Sequence, residues 1–345
     1  MQKERDTTID IAKGLGIILV VACHANFAPV SPGRFFHMPL FFFLTGYLSS
    51  FQDGFGTLLY KKIRTLYLPF IFVELLYVAT NPLYVTMGIS QASNLSISAQ
   101  LAHIVCFDNV ALILSPIWFL AALFFVNILC WILVHWWRMS RCRWLPVFVS
   151  ITLCAIGMAN THLGWLHMTY SCNFKEIINV VLVAQLFCIL GFLVKNWRIE
   201  INNMWIALIA FIYLYVSKLW LGLSVDMRAN QYSSVMLFLL AALGGIYMIL
   251  FISKKINSWQ HPLGRGIAFL CQLMGKASLY ILILHIFCFK IVGFLQENIG
   301  HLEIQNSGWE NPGCYGAWTL VYILIGLGLP TCIYLLAHLR QHVQD

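Results

Sequence analysis

The sequence predicts an all-α, polytopic membrane helix bundle of about ten transmembrane helices with both termini in the cytoplasm. Three observations lead there: composition, the spacing of apolar runs, and the charge of the loops between them. Of 345 residues, 60% are hydrophobic and 10% charged, whereas soluble domains carry about 25% charged residues. So apolar a chain lacks the polar surface to clothe itself in water, and lipid is the solvent that suits it. Twelve Trp, fourteen Tyr and twenty-five Phe agree, because aromatic rings anchor spans at the headgroup level.

A span needs roughly 20 mostly apolar residues. Runs of that kind lie near 9–28, 35–51, 66–87, 115–136, 145–160, 176–194, 203–220, 234–252, 277–296 and 316–337. The second and fifth are short. Gly266–Leu273 is apolar but too brief to span, and is expected to lie at the interface or to cap the ninth span. With no internal repeat, low-complexity tract or soluble domain, residues 1–345 are expected to form one integral membrane domain. The longest loops, near 88–114 and 297–315, are too short to fold alone. Asn94-Leu95-Ser96 has the form of a glycosylation sequon but decides nothing.

Loop charge tests the count. One set of alternate loops holds Lys3 and Arg5, then Lys61, Lys62 and Arg64, then Arg138, Arg141 and Arg143. The same set continues with Lys195 and Arg198, then Lys254, Lys255 and Arg265, and finally Arg340. The opposite set has only Arg34, Lys175 and Arg228, with Lys218 and Lys290 near span ends. Such asymmetry over short loops assigns the basic set, and both termini, to the cytoplasm. It also explains the net charge of +8 without nucleic acid. The eleven Cys form no CxxC pair and no metal-like spacing, so no metal site or disulfide framework is indicated. Val20-Val21-Ala22-Cys23 loosely imitates a lipoprotein cleavage site, but Glu4, Asp6 and Asp10 spoil the basic leader and an uncleaved first helix is expected.

Ionisable groups inside a span cost several kcal/mol unless paired or hydrated, about 2.5–3.5 on insertion scales, so each is a functional candidate. The first span is richest. At 100° per residue Asp10, Lys13 and His24 share one face within about 60°, and His24 lies roughly 16 Å along the axis from Lys13. The bland alternative has Lys13 snorkelling to headgroups and His24 bonding a neighbouring helix. His37 opens the second span, before Thr45-Gly46, a small pair that permits close helix approach. Glu74, Asn127, Gln185 and His285 lie in the third, fourth, sixth and ninth spans, with His285 at a depth like that of His24. Singly each is more often interhelical glue; together they imply a polar cavity.

These residues resemble the membrane acyltransferase-three family, in its polysaccharide O-acetyltransferase and fucose O-acetylase-like branch. Arg5-Asp6 with Asp10-Ile11-Ala12-Lys13-Gly14 and His24 resembles its first-helix signature. Phe36-His37-Met38-Pro39-Leu40-Phe41-Phe42-Phe43-Leu44-Thr45-Gly46-Tyr47 resembles the second. Lys61-Lys62-Ile63-Arg64 with Leu68-Pro69, then Ile117-Trp118-Phe119-Leu120, then Ser278-Leu279-Tyr280 with His285 resemble later ones. Thr45 stands where serine is usual, and Lys13 where arginine is common, which keeps the charge but loses the bidentate fork.

The resemblance implies an O-acyltransferase in a bacterial inner membrane. It would move an acetyl or short acyl group from cytoplasmic acyl-coenzyme A to a hydroxyl of an envelope glycan or lipid-linked sugar. On that reading acetyl-CoA is the donor substrate, the surroundings are membrane lipid, and neither metal nor nucleic acid takes part. A neutral imidazole near pH 7 can accept the proton of an attacking hydroxyl, so His24 is the expected general base. Asp10 and His37 are the other catalytic candidates, although Asp10 is too far from His24 to touch it and suits a pairing with Lys13 or Arg64. Lys13, Arg64, Lys61 and Lys62 suit the coenzyme phosphates. Trp118, His285, Tyr280 and Glu74 are candidates for the acceptor side, with His37, Trp118 and His285 shaping the acceptor or oxyanion region. The competing reading is a transporter or flippase of an envelope lipid or sugar, since membrane Asp, Glu and His also build proton relays. The lack of a repeat relating two halves argues against it.

Overall fold

In a bilayer every backbone N–H and C=O needs an internal partner, so helices dominate. The computed structural model describes residues 6–86, 96–107, 112–140, 142–163, 174–300 and 316–342, and it is a helix bundle. The expected outer loop 297–315, the sequon at Asn94 and Arg141 lie wholly or largely outside the described residues. The α-helices are α1 (Thr7–His24), α2 (His37–Leu48), α3 (Phe55–Lys62), α4 (Leu68–Thr86), α5 (Ile97–Val105), α6 (Trp118–Met139) and α7 (Leu145–Leu163). They continue as α8 (Phe174–Asn196), α9 (Met204–Leu219), α10 (Val235–Asn257), α11 (Pro262–Lys276), α12 (Ser278–Gly300) and α13 (Trp318–His342).

Each expected span coincides with a helix, and among the described residues seven are long and apolar enough to cross a membrane. The apolar helices of α2, α7 and α9 are shorter. The second span departs most: α2 has 12 residues, which rise only about 18 Å against a core of about 30 Å. Pro29 and Pro32, followed by Gly33, hold the preceding chain in a 3-10 segment, Ala28–Phe35. Pro39 is tolerated in the first turn of α2, where backbone N–H groups have no intrahelical acceptor. The third span is longer than expected, because α3 and α4 join through a π-helical turn, Ile63–Tyr67, into one apolar helix. Pro69 follows that turn; it has no N–H for the Thr65 carbonyl and would press on it in a regular helix.

Three further differences concern segments read as loops. The stretch near 88–114 contains α5, capped by Ser96 Oγ, which accepts from Ala99 N at 3.2 Å. Between α9 and α10 two short antiparallel strands, β1 (Val225–Asp226) and β2 (Gln231–Tyr232), form a hairpin. The segment around Gly266–Leu273 belongs to α11, which packs chiefly along α1 rather than capping the ninth span. Its buried residues Gly264, Ala268, Cys271 and Gly275 recur at helical spacing and make a face of small side chains.

Glycines set the closest crossings. A Cβ at Gly14 would stand 2.0 Å from the Cys271 carbonyl oxygen, and one at Gly275 would stand 2.0 Å from that of Asp10, so α1 and α11 meet backbone to backbone. The same holds for α2 and α8: a Cβ at Gly46 would lie 1.8 Å from the Cys188 oxygen, and one at Gly191 2.0 Å from the Phe43 oxygen. Thr45-Gly46 thus works as expected, with the Thr45 hydroxyl turned back to the Phe41 carbonyl at 2.9 Å. Gln185 bonds across helices, its Nε2 donating to the Ser150 carbonyl at 2.8 Å, whereas Asn127 Nδ2 donates within its own helix to Leu123 at 2.7 Å.

Substituting Gly46 by Val is expected to destabilise the bundle by about 1–3 kcal/mol or more, since the obstacle is backbone and cannot rotate away. Gly56→Ala, which meets nothing within 4 Å, serves as the neutral control. Thermal unfolding in detergent reads both, and a parental melting temperature for Gly46→Val would refute the close crossing.

Candidate active site

The site forms where α1 ends and the chain turns into α2. Asp6 caps α1 by accepting from Thr8 N at 3.0 Å. The helix stops after His24, and Asn26 adopts φ +53°, a left-handed conformation that Asn tolerates. Arg34 braces this turn: its Nη2 donates to the Cys23 carbonyl at 2.7 Å and to Asn26 Oδ1 at 2.9 Å. The Tyr215 hydroxyl of α9 donates to the Pro29 carbonyl and holds the 3-10 segment from its other side. His37 begins α2, its Nδ1 2.8 Å from the Gly33 carbonyl.

His24 meets His285 of α12. Nε2 of His285 stands 3.3 Å from Nδ1 of His24, with ring centroids 5.0 Å apart. The backbone around this pair assigns the tautomers. His285 is fully buried, and its Nδ1 faces two carbonyls, Ile281 at 2.8 Å and Leu282 at 3.1 Å. A carbonyl only accepts, so Nδ1 carries the proton and Nε2 of the neutral ring carries a lone pair. His24 Nδ1 lies between that lone pair and the Val20 carbonyl at 3.0 Å, so it too is the protonated nitrogen. The lone pair of His24 is therefore on Nε2, at the opposite edge of its ring. The same logic, with Gly33 as acceptor, puts the lone pair of His37 on Nε2.

His24 and His37 line one cavity of about 770 Å³. Val20 and Cys23 come from α1, Asn26 and Arg34 from the braced turn, and Met38 from α2. Ser115, Pro116 and Trp118 come from the start of α6, Leu282 from α12, and Ser224 to Arg228 with Gln231 from the hairpin. The volume fits a small polar ligand such as a sugar unit.

A second recess of about 390 Å³ contains Lys61 and Lys62 together with Ser49, Ser50, Asp53 and Thr65. The turn from α1 to α2 lies at the first cavity, so this recess, beyond the far end of α2, lies toward the end of the bundle where α1 begins. Its rim is held firmly: Arg138 donates to the Phe51 and Ser50 carbonyls, both at 2.7 Å, and Trp131 Nε1 donates to the Asp53 carbonyl at 2.8 Å. Lys61 Nζ pairs with Asp53 at 2.7 Å, a solvent-exposed contact worth little on its own.

The structure thus unites His24, His37 and Trp118 at one cavity and supports His24 with His285. It does not bring the remaining candidates there. Asp10 is buried on α1 about 21 Å along the axis from His24. Lys13 and Arg64 line neither recess; Arg64 is exposed and donates to the Tyr60 hydroxyl at 3.1 Å. Glu74 is fully buried in α4, away from both. Tyr280 packs on Tyr334 and His338 of α13, at 5.6 and 6.3 Å between centroids, instead of facing the cavity. The expected oxyanion role of His37 and His285 needs correction, because the N–H of each neutral ring is turned to backbone carbonyls. Sequence reasoning missed Arg34, Asp226, Arg228 and Gln231. The available signal was that Arg34 and Arg228 are exceptions to the loop charge pattern, standing where cations are sparse.

A family model described as an acyltransferase domain matches residues 6–338. The chain belongs to the acyltransferase-three family. No curated protein and no solved structure matches it. It is accordingly a membrane acyltransferase, and the match runs from the cap of α1 into α13, taking in both recesses. In acyl transfer generally, a base has its reactive nitrogen aimed by a hydrogen bond on its other nitrogen, and the paired imidazoles have that arrangement.

If His285 acts through His24, the two are not additive. His24→Ala is expected to lower acyl transfer by about 10²–10⁴-fold, and the His24→Ala/His285→Ala double variant by about the same amount. A double-mutant cycle on kcat would then show a coupling on the order of 1–3 kcal/mol. Additive losses would mean that the imidazoles work independently.

Proposed function

We propose that this acyltransferase moves an acetyl or short acyl group from a cytoplasmic acyl-coenzyme A to a hydroxyl of a cell-envelope sugar or glycan, in a bacterial inner membrane. The observation that carries the proposal is His24, with Nδ1 engaged by Val20 and His285 and a basic Nε2 left for a cavity of sugar size.

The reaction follows from that geometry. An acceptor hydroxyl in the cavity gives its proton to His24 Nε2 as its oxygen attacks the thioester carbonyl carbon. The imidazolium so formed stays bonded through Nδ1–H to the Val20 carbonyl and to the lone pair of His285, which spreads its charge. Collapse of the tetrahedral intermediate breaks the carbon–sulfur bond, and the leaving thiolate takes the proton from His24. The products are an ester and a free thiol. His37 Nε2 offers a second acceptor for a sugar hydroxyl, and Trp118 offers an aromatic wall.

Lys61 and Lys62 at the second recess suit the phosphates of the donor, with Ser49, Ser50 and Thr65 as hydroxyl partners. The recesses are near opposite ends of α1, whose 18 residues rise about 27 Å. Only a long, thin donor arm could connect them, and pantetheine has that shape.

Labelled acetyl-CoA with the purified chain tests the reading. Binding is expected to weaken at least about tenfold in Lys61→Ala/Lys62→Ala, from the loss of charge-assisted bonds, while His24→Ala is expected to bind normally and transfer nothing. No binding at millimolar acetyl-CoA would remove the donor assignment. Acceptor acetylation that survives in His24→Ala, with a sugar intermediate building up on one side of the membrane, would favour the transporter.

A further inference from the structure

Proton transfer to His24 leaves a second charge to be met. When the acceptor oxygen bonds to the thioester carbon, the carbonyl π pair moves onto oxygen, and an oxyanion forms before the carbon–sulfur bond breaks. Stabilising such a charge is usually the largest single contribution to catalysis of acyl transfer. The imidazoles of His24, His37 and His285 do not supply it: Nδ1–H of each faces a backbone carbonyl, and Nε2 of the neutral ring only accepts.

A guanidinium stands beside the base. Arg34 lies near the end of the 3-10 segment and lines the cavity together with His24. Its Nη2 donates to the carbonyl of Cys23, the residue before His24, at 2.7 Å and to Asn26 Oδ1 at 2.9 Å. The group also reaches the Cys23 thiol, whose own S–H turns to the Val30 carbonyl at 3.4 Å. These bonds fix the head group at the last turn of α1, where it interacts electrostatically with His24. A guanidinium has five N–H donors, of which Nη2 carries two. Of the other three, the thiol contact takes at most one, and the side chain is exposed, so further donors are open to a ligand. The charge itself is permanent, because arginine is not deprotonated in proteins.

We propose that Arg34 is the oxyanion donor of the transfer, with the thioester carbonyl held between His24 and the Arg34 guanidinium. The inference rests on the acyl-transfer reading above. As the attacking hydroxyl gives its proton to His24 Nε2, the carbonyl oxygen gains its charge against a cation already in place. Collapse returns the pair to the carbonyl, the carbon–sulfur bond breaks, and the thiolate takes the proton from His24, so Arg34 gains and loses no atom. The bond to the Cys23 carbonyl then has a second use beyond bracing the turn. It ties the cation to the same helical turn as the base, and such preorganisation is what makes an oxyanion donor effective.

The test needs no acceptor. Acetonyl-CoA and carboxymethyl-CoA have nearly the same shape at the acyl end, but the first is a neutral ketone and the second carries negative charge there. With the purified full-length protein, carboxymethyl-CoA is expected to bind at least about tenfold more tightly than acetonyl-CoA, through a charge-assisted bond. Arg34→Gln, whose amide can still donate to the Cys23 carbonyl, is expected to erase this ratio and leave the affinity for acetonyl-CoA near the parental value. Arg34→Lys is expected to restore part of the ratio, since it keeps the charge without the fork. His24→Ala is expected to keep the preference, which separates the guanidinium from a protonated imidazole. Because the readout is a ratio within one preparation, partial loss of folded protein does not imitate the result. Equal binding of the two analogues by the parent overturns the proposal, as does a preference that persists in Arg34→Gln or vanishes in His24→Ala. Binding of neither analogue at millimolar concentration overturns the donor assignment beneath it.

Discussion

Where two helices meet backbone to backbone, there is no side chain to adjust their separation, and α1 is held in that way against α11 through Gly14 and Gly275. Gly46 and Gly191 do the same for α2 and α8. Lipid gives no hydrophobic drive for helices to associate, so close van der Waals contact at small residues does much of the positioning. With both helices clamped along their length, the turn between them stands at a defined place. The cavity is built on that turn, and displacement of α1 would part His24 from His285 of α12. Geometry of acid–base groups matters at the sub-ångström level, so a rigid base for α1 is a condition for the site.

Polar contacts around the turn show how a membrane protein uses its few hydrogen-bonding side chains. His24, His37 and His285 each turn one nitrogen to a carbonyl three or four residues back in the chain. Those carbonyls already serve the helices or lie at their edges, so the extra bond needs no other partner and leaves the second ring nitrogen for other work. Arg34 likewise bonds the Cys23 carbonyl near the end of α1, where helix carbonyls lack intrahelical partners. Structure and chemistry use different atoms of the same side chains.

The bundle also separates two kinds of positive charge. Lys61 and Lys62 stand at one recess, in the loop set that the charge pattern assigns to the cytoplasm. Arg34 and Arg228 stand at the other, among loops that otherwise carry few cations. Topology accounts for the first pair without any ligand. It does not account for the second, whose members stand at the cavity beside His24.

Sequence alone determined the apolar spanning helices, their order and the choice of His24 as a candidate, because apolar periodicity and the cost of a membrane histidine are properties of one segment at a time. The Thr45-Gly46 crossing and the basic entry to the third span were legible for the same reason. Tertiary structure decided which groups meet. His24 and His285 are 261 residues apart, and no local pattern says that α12 lies beside α1. Asp10 and Lys13 share a helical face with His24, yet the rise of the helix keeps them at its far end, so a common face did not make a common site. Tyr280 sits in a segment that carries the family pattern but turns to α13. The hairpin with Arg228 could not be read from apolar periodicity: it is a polar connection whose two short strands pair with each other and which bonds α7 through Asn230. Local physics placed His24, and only the packing of distant helices and loops supplied its partner His285 and its cavity.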